Sequence, residues 1–160
     1  MATTKAILQA AADRLKSQVP GVAVELYPDN PSAWRMNHPR AALLVDYRGS
    51  RYGEVVDTGI VAQGRELSIG ISVVARTLHD AYGALAITDA VRLALLGQRL
   101  PDCRKLRLSS ERFVSQEAGN WIYELVFSAE SLAVEDAEGD SGPALTRVVA
   151  DYGFEEEIVE

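Results

Sequence analysis

The sequence contains a single cysteine, Cys103, and only two histidines, His38 and His79. One cysteine cannot form a disulfide within the chain, and it cannot supply a cysteine-based zinc site. Neither histidine belongs to a spacing typical of metal ligands or to a pattern that provides a positioned acid–base partner. The sequence therefore predicts no metal, no cofactor and no catalytic residue, and the chain is suited to a reducing compartment.

Long apolar runs are also missing. No stretch approaches the roughly 18 consecutive apolar residues that a membrane-spanning helix needs. The first residues lack the order of basic, apolar and small-residue regions that marks a signal peptide. The glycines of the segment RGSRYG do not have a phosphate-binding spacing, and no P-loop lysine follows them. We therefore expect no membrane partner.

The net charge of −7 is distributed unevenly along the 160 residues. Residues 135–160 contain nine acidic side chains and one basic side chain, a net charge of −8, whereas residues 1–134 contain 14 acidic and 15 basic side chains, a net charge of +1. A nearly neutral body without aromatic residues interleaved among its basic ones does not favour sequence-specific nucleic-acid binding. We predict one domain over residues 1–134 and an acidic C-terminal extension over residues 135–160.

The first part of the chain predicts a helix followed by two strands. Apolar residues at helical spacing indicate a helix over about Thr4–Val19, and Pro20-Gly21 ends it. Alternating patterns predict strands at Val22–Leu26 and Ala41–Tyr47. The glycine- and arginine-rich stretch Arg48–Glu54 is interpreted as a flexible loop that projects from the sheet, with a further short strand over Val55–Val61.

The central stretch combines a strand with a long helix. Leu67, Ile69, Ile71 and Val73 alternate with small polar residues, a pattern typical of a half-buried strand. The helix is predicted to begin near Thr77, with Asp80 as a partner that resembles that of a capping box, and to end at Gly97. Its buried stripe is predicted to contain Tyr82, Leu85, Ala86, Leu93 and Leu96.

Two more strands, over Arg104–Gln116 and Trp121–Val134, flank a hairpin turn at Glu117–Asn120. Short connections favour antiparallel pairing. The pattern therefore predicts an α+β fold with a single, mostly antiparallel β-sheet, two α-helices packed on one face and a C-terminal extension. Strands that look apolar on both sides, such as Val73-Val74 and Leu125–Phe127, indicate that the second face is covered by another subunit.

Two basic clusters are candidate sites for docking acidic protein surfaces. The first comprises Arg35, Arg40, Arg48 and Arg51, and the second comprises Arg104, Lys105, Arg107 and Arg112. An ordinary solvated surface explains them equally well. In the C-terminal extension Val148, Tyr152 and Phe154 are candidate contacts with a partner, or alternatively with the chain's own sheet, because an acidic linker does not need such apolar residues.

The order and character of the elements resemble those of the tail terminator, or tail-completion, proteins of Mu-like contractile-tailed phages, prophages and phage-tail-like bacteriocins. The resemblance covers about residues 3–134. It rests on the opening helix ILQAAADRLKSQVPG, the strands ALLVDYRGSRYG and RELSIGISVVART, the helix HDAYGALAITDAVRLALLGQRL and the hairpin FVSQEAGNWIYELVFSAE.

This resemblance implies a non-enzymatic structural protein that forms a homo-hexameric ring at the head-proximal end of the tail. The ring would cap the tail tube, contact the last ring of sheath protein and offer a surface to the neck or head-completion protein, with room for DNA to pass through its lumen. The protein would belong to the virion tail and assemble in the cytoplasm of the bacterial host. Two alternatives remain open: an adaptor in the head–tail connector of the same particle, and a small cytosolic enzyme that uses Cys103 or His79.

Overall fold

The computed structural model describes residues 1–56 and 59–136. This part of the chain contains two α-helices, a short 3₁₀-helix at Pro31–Ala33 and five strands. The helices are α1 (Thr4–Gln18) and α2 (Ala84–Leu95), and the strands are β1 (Ala23–Leu26), β2 (Ala41–Val55), β3 (Ala62–Ala75), β4 (Arg107–Glu117) and β5 (Asn120–Val134). Neither helix has the length and the hydropathy to cross a membrane.

The chain divides into two compact units. The first comprises Met1–Gly53 and Gly64–Leu132. The second comprises Glu54–Gln63 and the chain from Ala133 onward, of which the described part ends at Asp136. Within the second unit, the backbone amides of Val56 and Glu135 donate to the carbonyls of Ala62 and Val61 at 2.8 and 2.9 Å.

The five strands form one mixed sheet in the order β1-β2-β3-β5-β4. Strand β1 pairs parallel with β2, and β4 pairs antiparallel with β5. Together with the two helices, this sheet confirms the predicted α+β fold. The parallel pair follows from the 14-residue connection between β1 and β2, because a long connection allows the chain to return to the same end of the sheet.

Both helices cover one face of the sheet. Alternate residues of the central strands, such as Leu43, Ile69 and Phe127, form a single apolar core with Leu15 of α1 and Leu95 of α2. Helix α1 begins as predicted. The Thr3 side chain caps it by accepting a hydrogen bond from the Ala6 backbone amide at 3.1 Å. The Arg14 guanidinium links the helices by donating to the Ala94 carbonyl at 3.1 Å.

Strand β2 is longer than predicted. It continues to Val55 through the stretch Arg48–Glu54, so the prediction of a projecting, flexible loop there was wrong. Within this part of β2, Gly49 has a positive φ of 113°, a conformation that glycine adopts readily. The strand predicted over Val55–Val61 was also wrong, because β2 ends at Val55 and β3 begins only at Ala62.

Helix α2 is shorter than predicted and buries a different side. It begins at Ala84, because Thr77 and Asp80 form a separate turn in which the Thr77 hydroxyl donates to the Asp80 carboxylate at 2.6 Å. Its buried residues are Ala84, Ile87, Thr88, Val91, Ala94 and Leu95. The predicted stripe was therefore wrong for its leucines: 42% of Leu85, 84% of Leu93 and 52% of Leu96 is exposed.

The β4–β5 hairpin has the predicted turn. Ala118 and Gly119 both have positive φ, at 52° and 79°, which is the backbone of a type I′ turn. Register shifts between Leu108 and Ser110 and between Phe113 and Ser115 give β4, the edge strand of the sheet, two local irregularities. Irregularities of this kind are common on edge strands, where they discourage uncontrolled pairing with other chains.

Candidate interaction surfaces

The sheet face opposite the helices, here called the open face, carries a ladder of charged side chains. Alternation along each strand places on this face the residues that do not enter the helix-side core. The charged ones that pair with each other are Asp46, Arg48, Arg51, Glu66, Arg107, Arg112 and Glu124. They form two separate groups.

The first group is centred on Arg48 of β2. Its Nε atom donates to Asp46 Oδ2 and its Nη2 atom to Glu124 Oε2, both at 2.5 Å, and Arg112 Nε donates to the other Glu124 oxygen at 2.8 Å. Gly70 of β3 lies directly beneath, since a Cβ atom there would be only 2.5 Å from the Arg48 Nε atom. The absent side chain is therefore what allows the guanidinium to cross the central strand.

The second group is centred on Glu66 of β3. Arg51 Nη2 donates to Glu66 Oε1 at 2.5 Å, and Arg107 Nη2 donates to Glu66 Oε2 at 2.6 Å. The Arg51 side chain is 84% exposed and that of Arg107 is 51% exposed. Because the two guanidinium groups share one carboxylate, this group has a net charge of +1 and free donors that face solvent.

Both central carboxylates are more acidic than usual. Burial on its own would raise the pKa of Glu124, but the hydrogen bonds and charges of Arg48 and Arg112 outweigh it and lower that pKa. The pKa of Glu66 is lowered mainly by its hydrogen bond from Arg51, with Arg107 adding to the effect. Both groups are therefore ionised at neutral pH.

The structure unites the two basic clusters that are separate in the sequence. Glu66 joins Arg51 of the first cluster to Arg107 of the second, and Glu124 joins Arg48 to Arg112. These arginines were predicted from the sequence, whereas the carboxylates Glu66 and Glu124 were not. The alternation along β3 and β5 places both on the open face, and this was the signal available in the sequence.

The other predicted basic residues are exposed and make no ion pair within the described ranges 1–56 and 59–136. The Arg35 guanidinium donates to the carbonyls of Ser32 and Trp34, both at 2.9 Å. The Arg40 guanidinium lies 4.1 Å above the centroid of the Tyr82 ring. Arg104 and Lys105 lie between α2 and β4. These four cations are available to a partner.

A second surface is the outer side of α2, here called the leucine face and made up of Leu85, Leu93 and Leu96. Helical spacing places Leu85 and Leu93 on the side of α2 that is not buried, and Leu96 follows them as the C-cap. Large exposed apolar side chains grouped on one helix side are typical of a surface that contacts another protein. Part of the apolar area available for association therefore lies on the outer side of α2.

On the open face, by contrast, Leu44 and Val74 are already buried within the chain, each only 4% exposed. Val74, one of the residues on which the expected cover by another subunit rested, is therefore covered within the chain, and that cover stays a prediction.

Cys103 and the two histidines, the residues examined as candidates for catalysis, lie in three different environments. Cys103 is buried, and burial raises the pKa of its thiol, which disfavours the reactive thiolate at neutral pH. His38 Nδ1 accepts the backbone amides of Arg40 and Ala41 at 3.1 and 3.4 Å, and His79 is exposed in the turn before α2. Within residues 1–56 and 59–136, no three His, Cys, Asp or Glu side chains are grouped as metal ligands would be.

The predicted contacts Val148, Tyr152 and Phe154 lie outside the described residues. The structure therefore leaves open the choice between a partner and the chain's own sheet as the surface that these residues contact.

Comparison with known proteins gave a match to a family and a match to a fold. The model of a family described as "Gp37 protein" matches residues 11–156. A chain of the solved structure "Virion of native gene transfer agent (GTA) particle" superposes with a TM-score of 0.51 at 20% sequence identity, and the match covers 82% of the present chain and 98% of the virion chain. No curated protein matches significantly.

Proposed function

Because the chain belongs to the Gp37 protein family, we propose that it is a structural protein of a phage-type virion and, more specifically, the tail terminator. The observation that carries the proposal is the shared fold with a chain of a gene transfer agent virion, of which 98% is matched. The virion chain has no large extra domain beyond this fold. The same architecture is therefore sufficient for a virion component.

In the proposed role the chain forms a six-membered ring on the head-proximal end of the tail. The ring stops growth of the tail tube, contacts the last sheath ring and receives the neck protein. Six-fold closure comes from the resemblance to tail terminators. The physical support is that the open face neutralises much of its own charge, whereas the leucine face is exposed and four basic side chains make no ion pair within the described part of the chain.

These features suggest different tasks for the predicted contact residues. Arg48 is 29% exposed and bonded to two carboxylates, so its role is to stabilise the sheet. Arg51 and Arg107, with Arg35, Arg40, Arg104 and Lys105, are proposed to meet acidic surfaces of the tube, sheath or neighbouring subunits. The leucine face is proposed to supply the apolar part of one such contact.

The C-terminal extension is proposed to dock on a neighbouring subunit or on the sheath through Val148, Tyr152 and Phe154. Deleting residues 137–160 tests this and keeps every described residue, including the hydrogen bonds of Glu135. We expect the melting temperature to be nearly unchanged and incorporation into particles to be lost. Unfolding or aggregation of the truncated chain would mean that the extension packs on its own core.

Tail length in the absence of the chain tests the proposed function. Particles assembled from the same set of virion proteins without this chain are expected to have tails of variable, often excessive length, because nothing stops addition of tube rings. Adding back the purified chain during assembly should restore one length. Tails of normal, uniform length that lack only a head would instead support the connector role.

A further inference from the structure

A cavity of about 470 Å³ lies at one end of the open face. Ser72 of β3 contributes to it as a small residue, and β2, β5 and β4 surround it with longer side chains. Tyr27 closes it from the connection after β1, where its backbone amide is fixed by a 2.8 Å hydrogen bond to the Val45 carbonyl. The cavity is therefore built from four adjoining strands and one anchored aromatic residue.

The polar lining of this cavity is acidic. It contains three carboxylates, those of Asp46, Glu117 and Glu124, and one guanidinium, that of Arg48, a net charge of −2. Arg112 does not line the cavity but is paired with Glu124, and including its charge brings the net charge to −1. The Asp46 Oδ1 atom is buried without a hydrogen-bond partner within the described part of the chain. That oxygen is closed to solvent, so a donor that enters the cavity meets the part of the Asp46 side chain that remains 20% exposed.

The remaining lining suits the stem of a long side chain. Val114 and Ile122 supply aliphatic surface, and Tyr27 is an aromatic ring that is 44% exposed. An arginine side chain combines an aliphatic stem with a planar cation that stacks on aromatic rings and donates in pairs to carboxylates. Neither an anion nor a purely apolar group matches this set of side chains.

We propose that this cavity is a binding pocket for an arginine side chain presented by a partner protein. The guanidinium enters between the Tyr27 ring and the carboxylates of Asp46 and Glu117, and its stem packs on Val114 and Ile122. Identification of that partner as another virion protein rests on the proposed function, whereas recognition of the guanidinium does not. The pocket thus adds an acidic contact to the open face, whose group around Glu66 has a net charge of +1.

Binding of a capped arginine to the full 160-residue chain tests the proposal. N-acetyl-L-argininamide is added to isotope-labelled protein, and the amide signals are followed by NMR. We expect saturable shifts that centre on Ser72 and Ile122, with a dissociation constant of about 1 mM, as befits one side chain without the rest of its partner. The neutral analogue N-acetyl-L-citrullinamide should bind at least about fivefold more weakly, since it lacks the charge.

Substitutions of single carboxylates show where the arginine probe binds. Asp46→Asn should weaken binding of the arginine probe about fivefold, and Glu117→Gln, an exposed change that leaves Arg48 bonded, about threefold. Asp13→Asn on α1, which removes the same charge far from the cavity, should have no effect. Non-saturable shifts, equal binding of the citrulline analogue, or unchanged binding in Glu117→Gln would overturn the proposal. A tail-assembly defect without probe binding would contradict the pocket and leave the proposed function standing.

Discussion

Glu124 shows how single side chains hold the open face together. Its two oxygens accept hydrogen bonds from Arg48 and Arg112, and its side chain is only 15% exposed. Removing the charge should leave both guanidinium groups without that partner. The contribution is electrostatic and therefore depends on pH.

Glu124→Gln is expected to lower the free energy of unfolding by about 1–2 kcal/mol at pH 7. The pKa of Glu124 is lower in the folded chain than the roughly 4.3 of an unfolded glutamate, so its stabilisation is complete above that value. It is lost as the pH falls through the folded-state pKa. Urea unfolding between pH 3 and pH 7 should therefore show the difference between wild type and variant shrinking in acid.

The control for this series is an exposed carboxylate outside both ion-pair groups. Glu25→Gln removes an exposed carboxylate on β1 and should change stability little at any pH. If the Glu124→Gln difference were the same at pH 3 as at pH 7, the ion pairs would not be its source.

Gly70 is the second residue whose identity the open face requires. Gly70→Ala is expected to cost about 1–3 kcal/mol, because its Cβ atom would displace the Arg48 guanidinium from Asp46 and Glu124. In an Arg48→Ala background the same change should cost much less. Chemical unfolding of the four proteins measures this coupling, and equal costs in both backgrounds would refute the contact.

At the scale of elements, the two sides of α2 have different roles. The inner side packs in the core, and the outer side is proposed to contact a partner. Its inner side contains Leu95, which is fully buried, and its outer side contains Leu93, which is 84% exposed. The two leucines lie two residues apart on the same helix. They form a matched pair for testing the leucine face.

Leu93→Ser is expected to change the free energy of unfolding by less than about 0.5 kcal/mol, because almost none of its surface is buried. Leu95→Ala should cost about 2–5 kcal/mol through the cavity that it leaves. Incorporation of Leu93→Ser into particles should nevertheless fall. Normal incorporation of this variant would exclude the leucine face as a contact surface.

Helix α2 also shows where sequence patterns reach their limit. The prediction of a helix was correct, but both of its sides are apolar, so periodicity could not decide which side faces the sheet. Thr77 and Asp80 had the composition of a capping box, yet Gly83 is the actual N-cap. The separate turn that Thr77 and Asp80 form was not distinguishable by composition.

Strands were predicted best where one face is buried. The alternation of Leu67, Ile69 and Ile71 and the turn at Ala118-Gly119 were sufficient to place β3 and the β4–β5 hairpin. The continuation of β2 through Arg48–Glu54 was missed because its support comes from Glu66 and Glu124 on other strands. Such pairing between distant residues is a tertiary effect that local propensity does not contain.

At the scale of the whole molecule, the candidate surfaces have different chemistry. The leucine face is apolar, the free arginines are basic, and the cavity beside Asp46 is acidic. Several unlike surfaces on one chain agree with the proposed position between different virion proteins. The arginines of these surfaces could be found in the sequence, whereas their grouping with Glu66 and Glu124 required the fold.

The most direct test of the central claim is the position of this chain in an assembled particle. Cryo-electron microscopy of particles that carry a small tag on the chain should show density for six copies in one ring at the head-proximal end of the tail. The same particles without the chain should lack that ring. Copies spaced along the whole tail, copies within the head, or particles that never contain the chain would contradict its assignment as the tail terminator.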